Sequence, residues 1–571
     1  MTLPTETGKL LPPVDSTGRK PRRHARRFII TNAHSVADST SVRLRKYGQS
    51  VKYAATVRAV CHTCDLALLE VRNDRFWEGM DDVLELALTP RLQERVLCVG
   101  YPMAGDNLCF TGGVVSRIDY IQYAHSGANL SAIQIDAAIN SGASGGACLS
   151  DGKVVGVSFQ AWDTSEAEAI GHIIPADIVR FFLTDVAMHG SQVKGFGRLG
   201  LSYQCLENTA LCQHVGMKPS DTGVLITHVN PTVAVGQALK QHDVLLAIDD
   251  VSIADDGTVP YGESRLPFGH EVAMHHPGDT IVAHIIRGGK RLAVDVCLQP
   301  MTPLVPGMLH DKEPKYLLWG GLVFTQLSMA YLEAQYGSKW DTVAPIRNVY
   351  DATARRSKLP GEEIILLSHV LAHPANIGYE VNDFATRSVK TVNGVPVRNL
   401  AEMCRMLFPE GPPDARRVHD VTADELPKCP GTADASCVIV LEENIMLAMQ
   451  MKQAWGATMD LMRSHKIHSA VSEQLLGTPP GALGVTSAPR TPVAPKGSAA
   501  PARKTKHGKP QPVPNLPEDS SAATPELASS PPPSSASKRP SRRARRAASK
   551  RSAEKRASEA AAAPAEDGAA E

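Results

Sequence analysis

The chain is 571 residues long, 43% hydrophobic, and balanced to a net charge of +1. That length implies three or four domains with separate cores, and the balance excludes a chain that attracts polyanions through its overall charge. Eleven cysteines without dense spacing read as free thiols in a reducing compartment. No apolar run approaches the roughly 18 residues of a membrane span, and the start, MTLPTETGKL, lacks the apolar core of a secretory signal. The expectation is a soluble intracellular protein.

Residues 1–27 are polar and end in the basic cluster PRRHARR. From 28 to 190 short β-type runs follow one another: FIITNAH, SVRLRKYG, YAATVRAV, LALLEV, RVLCVGYP, GGVVSRIDYI, AIQIDAAI, KVVGVSFQAW and HIIPADIV. Turns rich in Gly, Asn, Asp and Ser separate them, which predicts an antiparallel barrel or sandwich. A second unit spans 195–300 and a third spans 314–474. Each opens on a Gly-rich step before a strand, then carries a hairpin and a helix, a weak internal repeat of plan. The period of ENIMLAMQMKQAWGATMDLM predicts a helix over 443–462, with core packing favoured over an assembly surface. Residues 478–571 are Pro, Ala, Ser and Lys/Arg with almost no aromatics, a composition expected to be disordered.

Three local signals carry chemistry. Asn140-Ser-Gly-Ala-Ser144-Gly-Gly-Ala147 sets a serine among glycines, so that the backbone turns tightly and exposes the hydroxyl. The amide N–H groups of Gly142 and Ser144 then serve as an oxyanion hole. Alone, the string is equally a glycine-rich turn. Thr31-Asn-Ala-His34 closes an apolar strand, and Asp65-Leu-Ala-Leu-Leu opens another. A serine needs a base to take its proton, and the base needs a carboxylate to fix its tautomer. His34, Asp65 and Ser144 in that chain order, each at a strand edge, match the trypsin-like arrangement rather than the hydrolase order Ser, Asp, His.

These motifs, with TNAHSVAD, CDLALLEV, RLQERVLCVGYPMAGDN, QIDAAINSG and IGHIIP, resemble the Deg/HtrA serine proteases, especially the plant-type Deg group. GTVPYGESRLPF, YLLWGGLVFTQLS, LLSHVLAHPANIGYE and VNGVPVRNL extend the resemblance through two PDZ domains, to about Gln474. It implies an all-β, trypsin-like double β-barrel followed by two α+β PDZ-like domains. It also implies an ATP-independent endopeptidase acting on unfolded or damaged proteins, with no cofactor and no metal, assembling as a trimer-based homo-oligomer. In it His34 is the general base, Asp65 its orienter and Ser144 the nucleophile. Ile139, Val155, Val157 and Phe159 line an apolar pocket for a medium aliphatic side chain. Leu199, Gly200 and Leu201, and in the second PDZ-like unit Gly321, Leu322 and Val323, form the peptide-binding loops, where a client adds a strand to a sheet edge.

The chain departs from that pattern in places. Ala143 and Ala147 stand where the family has Asn and Pro, a change expected to loosen the nucleophile loop. Two strands that the family places ahead of TNAH are not legible in residues 1–27, so an open edge on the first sheet is expected. An incomplete version of the protein is favoured over a degraded one because the triad is intact. Cys61 and Cys64 read as strand-region thiols, since zinc wants four ligands and no second pair has the spacing. The basic cluster at 538–556 reads as a nuclear import signal or a nucleic-acid arm, against a solvated tail. It makes the nucleus the expected compartment, with the chloroplast as the alternative. Two other functions stay open: an inactive PDZ scaffold or chaperone for unfolded chains, and a nucleic-acid-associated protein.

Overall fold

The computed structural model describes residues 27–80, 83–101, 107–140, 142–164, 167–233, 235–300, 303–353, 355, 357–413 and 435–476. The basic tail, and with it the import and nucleic-acid readings, lies outside them.

The first unit is built from two sheets. Strands β1 (Ile29–Thr31), β2 (Val42–Arg45), β3 (Lys52–Cys61) and β4 (Leu66–Glu70) form an open sheet in the order β1-β4-β3-β2. Leu66, Ala67, Leu68 and Leu69 are all buried, so β4 is apolar on both faces and takes a central place. Among the described residues β1 and β2 are the two edges of this sheet; residues 1–26, on which the expectation of absent strands rests, lie outside them. The next six strands close a barrel in the order β10-β7-β6-β5-β8-β9. They are β5 (Arg95–Gly100), β6 (Cys109–Gln122), β7 (Asn129–Ile135), β8 (Ala147–Ser150), β9 (Lys153–Thr164) and β10 (Ala167–Pro175).

One core fills the barrel, with Val96, Cys98, Val115, Ile133, Ile135 and Ile173. A second joins the two sheets through Phe28, Leu66, Leu68, Leu130, Phe159 and Ile174, and the helix Ala176–His189 adds Ile178, Val179 and Phe182 to it. The site sits over this shared core. At the helix end, buried Asp185 accepts from His189 Nδ1 at 2.8 Å and from the amides of Lys194 and Gly195 at 3.1 and 2.8 Å. Those amides begin the second unit.

The second unit holds β11 (Leu201–Cys205), β12 (Val224–Val229), β13 (Val244–Ile248), β14 (Val251–Ser252), β17 (Thr280–Arg287) and β18 (Lys290–Cys297) in one sheet, ordered β11-β12-β13-β17-β18 with β14 on β13. A hairpin of β15 (Thr258–Tyr261) and β16 (Ser264–Pro267) stands apart from it. The Tyr261 hydroxyl donates to Asp177, tying this hairpin to the first turn of the helix Ala176–His189. β11 pairs with β12 alone, so among the described residues it is an open edge.

The third unit has two sheets. β19 (Tyr316–Trp319), β20 (Leu322–Gln326) and β21 (Ile365–Val370) run in that order. β22 (Val389–Val392), β23 (Val395–Pro396), β24 (Ser436–Leu441) and β25 (Met446–Gln450) are ordered β23-β22-β24-β25. The helix expected over 443–462 is shorter than its period suggested. Met446–Gln450 is a strand with Leu447 and Met449 turned inward, and the helix begins at Met451 and runs to Ser464. Two inward residues at spacing 2 share a face in a strand but not in a helix, and pairing with β24 makes the segment a strand. The core-packing reading of the segment holds: Trp455, Met459 and Met462 join Leu317, Trp319 and Phe324 in one cluster.

Leu68 is fully buried at the junction of the two protease sheets. Leu68→Ala is expected to cost about 2–5 kcal/mol, read as a lower denaturation midpoint of the protease unit.

Candidate functional site

Asp65 organises one half of the site. It caps the short 3-10 turn His62–Cys64 with a left-handed backbone, φ 54°, a region that Asp tolerates better than most residues. Its backbone carbonyl accepts from Asn32 Nδ2 at 2.9 Å and from the Ala33 amide at 3.1 Å. One carboxylate oxygen accepts from the His34 amide at 2.9 Å and the other meets His34 Nδ1 at 2.7 Å. Asp65 itself is 1% exposed, so its charge is shielded from water and held by these donors. The imidazole is thereby oriented with Nδ1 toward the acid and Nε2 left for proton transfer.

Ser144 comes from the other sheet. Its Oγ donates to the Phe159 carbonyl at 3.5 Å, and among the described residues it makes no hydrogen bond to His34. The loop around it is close-packed on glycines. A Cβ at Gly145, where φ is +82°, would stand 2.4 Å from Thr31 Oγ1, and one at Gly146 would stand 2.2 Å from the Val99 carbonyl. The contact with Thr31 brings the serine loop against the strand that leads to His34. The Gly145 amide donates to the Ser158 carbonyl at 2.9 Å and the Gly146 amide to Ala143 at 3.1 Å. Neither the Gly142 nor the Ser144 amide has an internal acceptor among the described residues, which leaves both for a substrate oxygen.

Ser158 is a residue the sequence reading missed. Its hydroxyl lies 2.9 Å from the Ala143 carbonyl and 3.0 Å from that of Gly146, and it donates to one or the other. Its amide donates to Gly146 at 3.0 Å. Ala147, where the family has Pro, pairs with Val99 and Val157 in the barrel ladder. The loop is therefore braced by Ser158 and two strands. Nothing in the string VSFQ marks Ser158 out, because its partners lie 12 and 15 residues away.

The four expected pocket residues do not share one wall. Ile139 lines a narrow cavity of about 20 Å³ with Val99, Gly100, Asn140, Ala143 and Ser158. Val155 lies inside the barrel core, whereas Val157 and Phe159 belong to the core between the sheets. Register shifts between Cys148 and Leu149 and between His172 and Ile173 break the simple alternation along β9, so Val155 and Val157 join different cores although they are two residues apart.

The two loops expected to bind peptide also differ. Leu199 is buried, Gly200 has φ +63°, and Leu201 opens the edge strand β11. Gly320 and Gly321 instead form the tight turn between β19 and β20, and β20, with Leu322 and Val323, is paired on both sides. The Gly320 amide donates to Thr458 Oγ1 at 2.8 Å, its carbonyl accepts from Asn376 Nδ2 at 2.9 Å, and the Gly321 carbonyl accepts from the Leu371 amide at 2.7 Å. That turn has no open strand edge to offer. Cys61 and Cys64 are buried free thiols, and burial raises the Cys64 thiol well above its usual range.

Residues 14–157 match the trypsin-like peptidase domain family and residues 305–474 the PDZ domain family. Protease Do-like 4, mitochondrial, of Arabidopsis thaliana is 41% identical over 380 residues, covering 66% of this chain and 69% of its own. Protease Do-like 2, chloroplastic, of the same plant is 36% identical over 450 residues, covering 78% and 69%. Among solved structures, an HtrA-type protease AlgW with decapeptide aligns over 49% of this chain and 82% of its own, at 23% identity and a TM-score of 0.39. The nuclear expectation is overturned: these relatives are named for mitochondria and chloroplasts. A basic cluster reports charge, not address. No helix among the described residues is long and apolar enough to cross a membrane.

Ser158→Ala is expected to lower kcat by about tenfold, ~1.4 kcal/mol, through loss of the brace on the serine loop, and, because Ser158 also lines the cavity at Ile139, to raise KM by less than that. Steady-state kinetics on a peptide substrate checks the split.

Proposed function

Because this chain belongs to the Do-like, Deg/HtrA family of serine proteases, we propose that His34, Asp65 and Ser144 are its catalytic triad. The observation that carries the assignment is the double clasp of Asp65 on His34, through the backbone amide at 2.9 Å and Nδ1 at 2.7 Å.

When substrate enters, Ser144 Oγ turns from the Phe159 carbonyl toward His34 Nε2 and attacks the scissile carbonyl carbon. His34 takes the hydroxyl proton, and Asp65 stabilises the imidazolium that results. The amides of Gly142 and Ser144 hold the oxyanion. His34 then hands the proton to the departing amine, leaving an acyl-enzyme on Ser144. Water, deprotonated by the same imidazole, releases the acid and restores the serine. The cavity at Ile139, at about 20 Å³, holds little more than one water, so a medium aliphatic residue before the cleaved bond rests on the family resemblance.

The open edge of β11 supports clients that present extended backbone, as unfolded or damaged proteins do. Gly200 and Leu201 are the peptide-binding residues there, and Leu199 seats the loop in the core. Trimer-based self-assembly through the protease unit rests on membership of the family. A mitochondrial or chloroplast compartment rests on the relatives' names. The binding-only alternative gains nothing from those names, since both relatives are named proteases.

The test is casein degradation together with fluorophosphonate labelling. Both are expected for the natural chain and absent in Ser144→Ala. Asp65→Asn is expected to lower kcat by roughly three to four orders of magnitude while circular dichroism stays unchanged. A chain that neither cleaves nor labels would overturn the assignment.

A further inference from the structure

Three histidines from distant parts of the chain meet beside the catalytic histidine. His62 lies in the turn that ends at Asp65, and His125 in the bend between β6 and β7. His310 lies in the connection between β18 and β19. One ring nitrogen from each lies within 4.8 Å of the others. His62 Nδ1 and His125 Nε2 are 2.9 Å apart. Two ligands on one tetrahedral zinc sit about 3.3 Å apart, given Zn–N bonds of about 2.0–2.1 Å.

The outer partners are those that metal-binding histidines use. His62 Nε2 meets the carboxylate of Asp311 at 3.1 Å, and His310 Nε2 donates to the His125 carbonyl at 3.0 Å. Each contact holds the proton on Nε2 and leaves Nδ1 as a lone pair. Burial pushes the His125 imidazole down to about 4 and lowers that of His62 as well, the direction that favours the neutral, metal-binding form.

We propose that His62, His125 and His310 form a zinc-binding site, with water in the fourth position, which fastens the segment ahead of the third unit onto the protease unit. Binding requires His125 to carry its proton on Nδ1, which frees Nε2, and His310 to turn out of its stack on His125, where the ring centroids are 3.8 Å apart. Part of the fastening is already in place. Asp38 and Asp311 each donate a backbone amide to the other's carboxylate, at 2.7 and 2.8 Å.

The position gives the metal a consequence for turnover. The His125 ring centroid is 6.1 Å from that of His34, and His34 must become a cation during acylation. A dication behind His125 opposes that charge, so zinc slows proteolysis. This second step rests on the triad reading, whereas binding does not.

The test separates the two. Zinc binding is measured by titration against a chromophoric chelator on the full chain carrying Ser144→Ala. One equivalent is expected, weakened at least ~tenfold by His310→Ala and by the milder His310→Gln. Cobalt in its place is expected to give visible absorption without the near-ultraviolet band of a thiolate ligand. On the active chain, zinc is expected to lower kcat at least ~tenfold, reversibly with EDTA. His310→Gln is expected to keep the metal-free rate and lose that sensitivity. No binding by the Ser144→Ala chain, unchanged affinity in both His310 variants, or a thiolate band would overturn the site. Inhibition that survives His310→Gln would overturn its control of turnover. Binding as expected on a chain that never cleaves would support the site and count against the triad.

Discussion

The arrangement depends on a carboxylate held away from water. Asp65 offers its backbone carbonyl to Asn32 and Ala33 and both side-chain oxygens to His34. Removing either set would leave a buried charge or a buried amide without a partner. The strand that follows, Leu66–Glu70, is apolar on both faces and anchors that residue between the sheet and the barrel. Catalytic geometry and core packing on this side of the molecule are thus one constraint.

The serine side is held by different means. Glycines 145 and 146 let the loop lie against Thr31 and Val99, closer than any Cβ allows. The Ser158 hydroxyl and the ladder at Ala147 supply stiffness where the family's Asn and Pro are absent. In this chain the loop is thus braced from the neighbouring strand.

How much of this could be read from sequence depended on whether the cause was local. Strand ends at His34 and Asp65 and a glycine-flanked Ser144 are local signals; the structure joins His34 to Asp65 by two hydrogen bonds and sets the Gly145 step of the serine loop against Thr31. The division into a β-rich protease unit followed by PDZ-like units was legible because alternation and turn residues repeat along the chain. The pocket was not, because bulges in β9 change which way Val155, Val157 and Phe159 face, and a bulge is set by the partner strand. Ser158 and the histidines at 62, 125 and 310 were invisible for a related reason: each acquires its role from residues far away in sequence. The Gly320–Gly321 step looked like its counterpart at Gly200 because both precede a strand. Only pairing on both sides of β20 tells them apart.

That difference has a cost as well as a use. Among the described residues β11 carries a row of unpaired N–H and C=O groups along one side, and such an edge accepts an extended neighbour running in either direction. A second copy of the chain, with its own β11 open, would compete for that edge with any other extended segment.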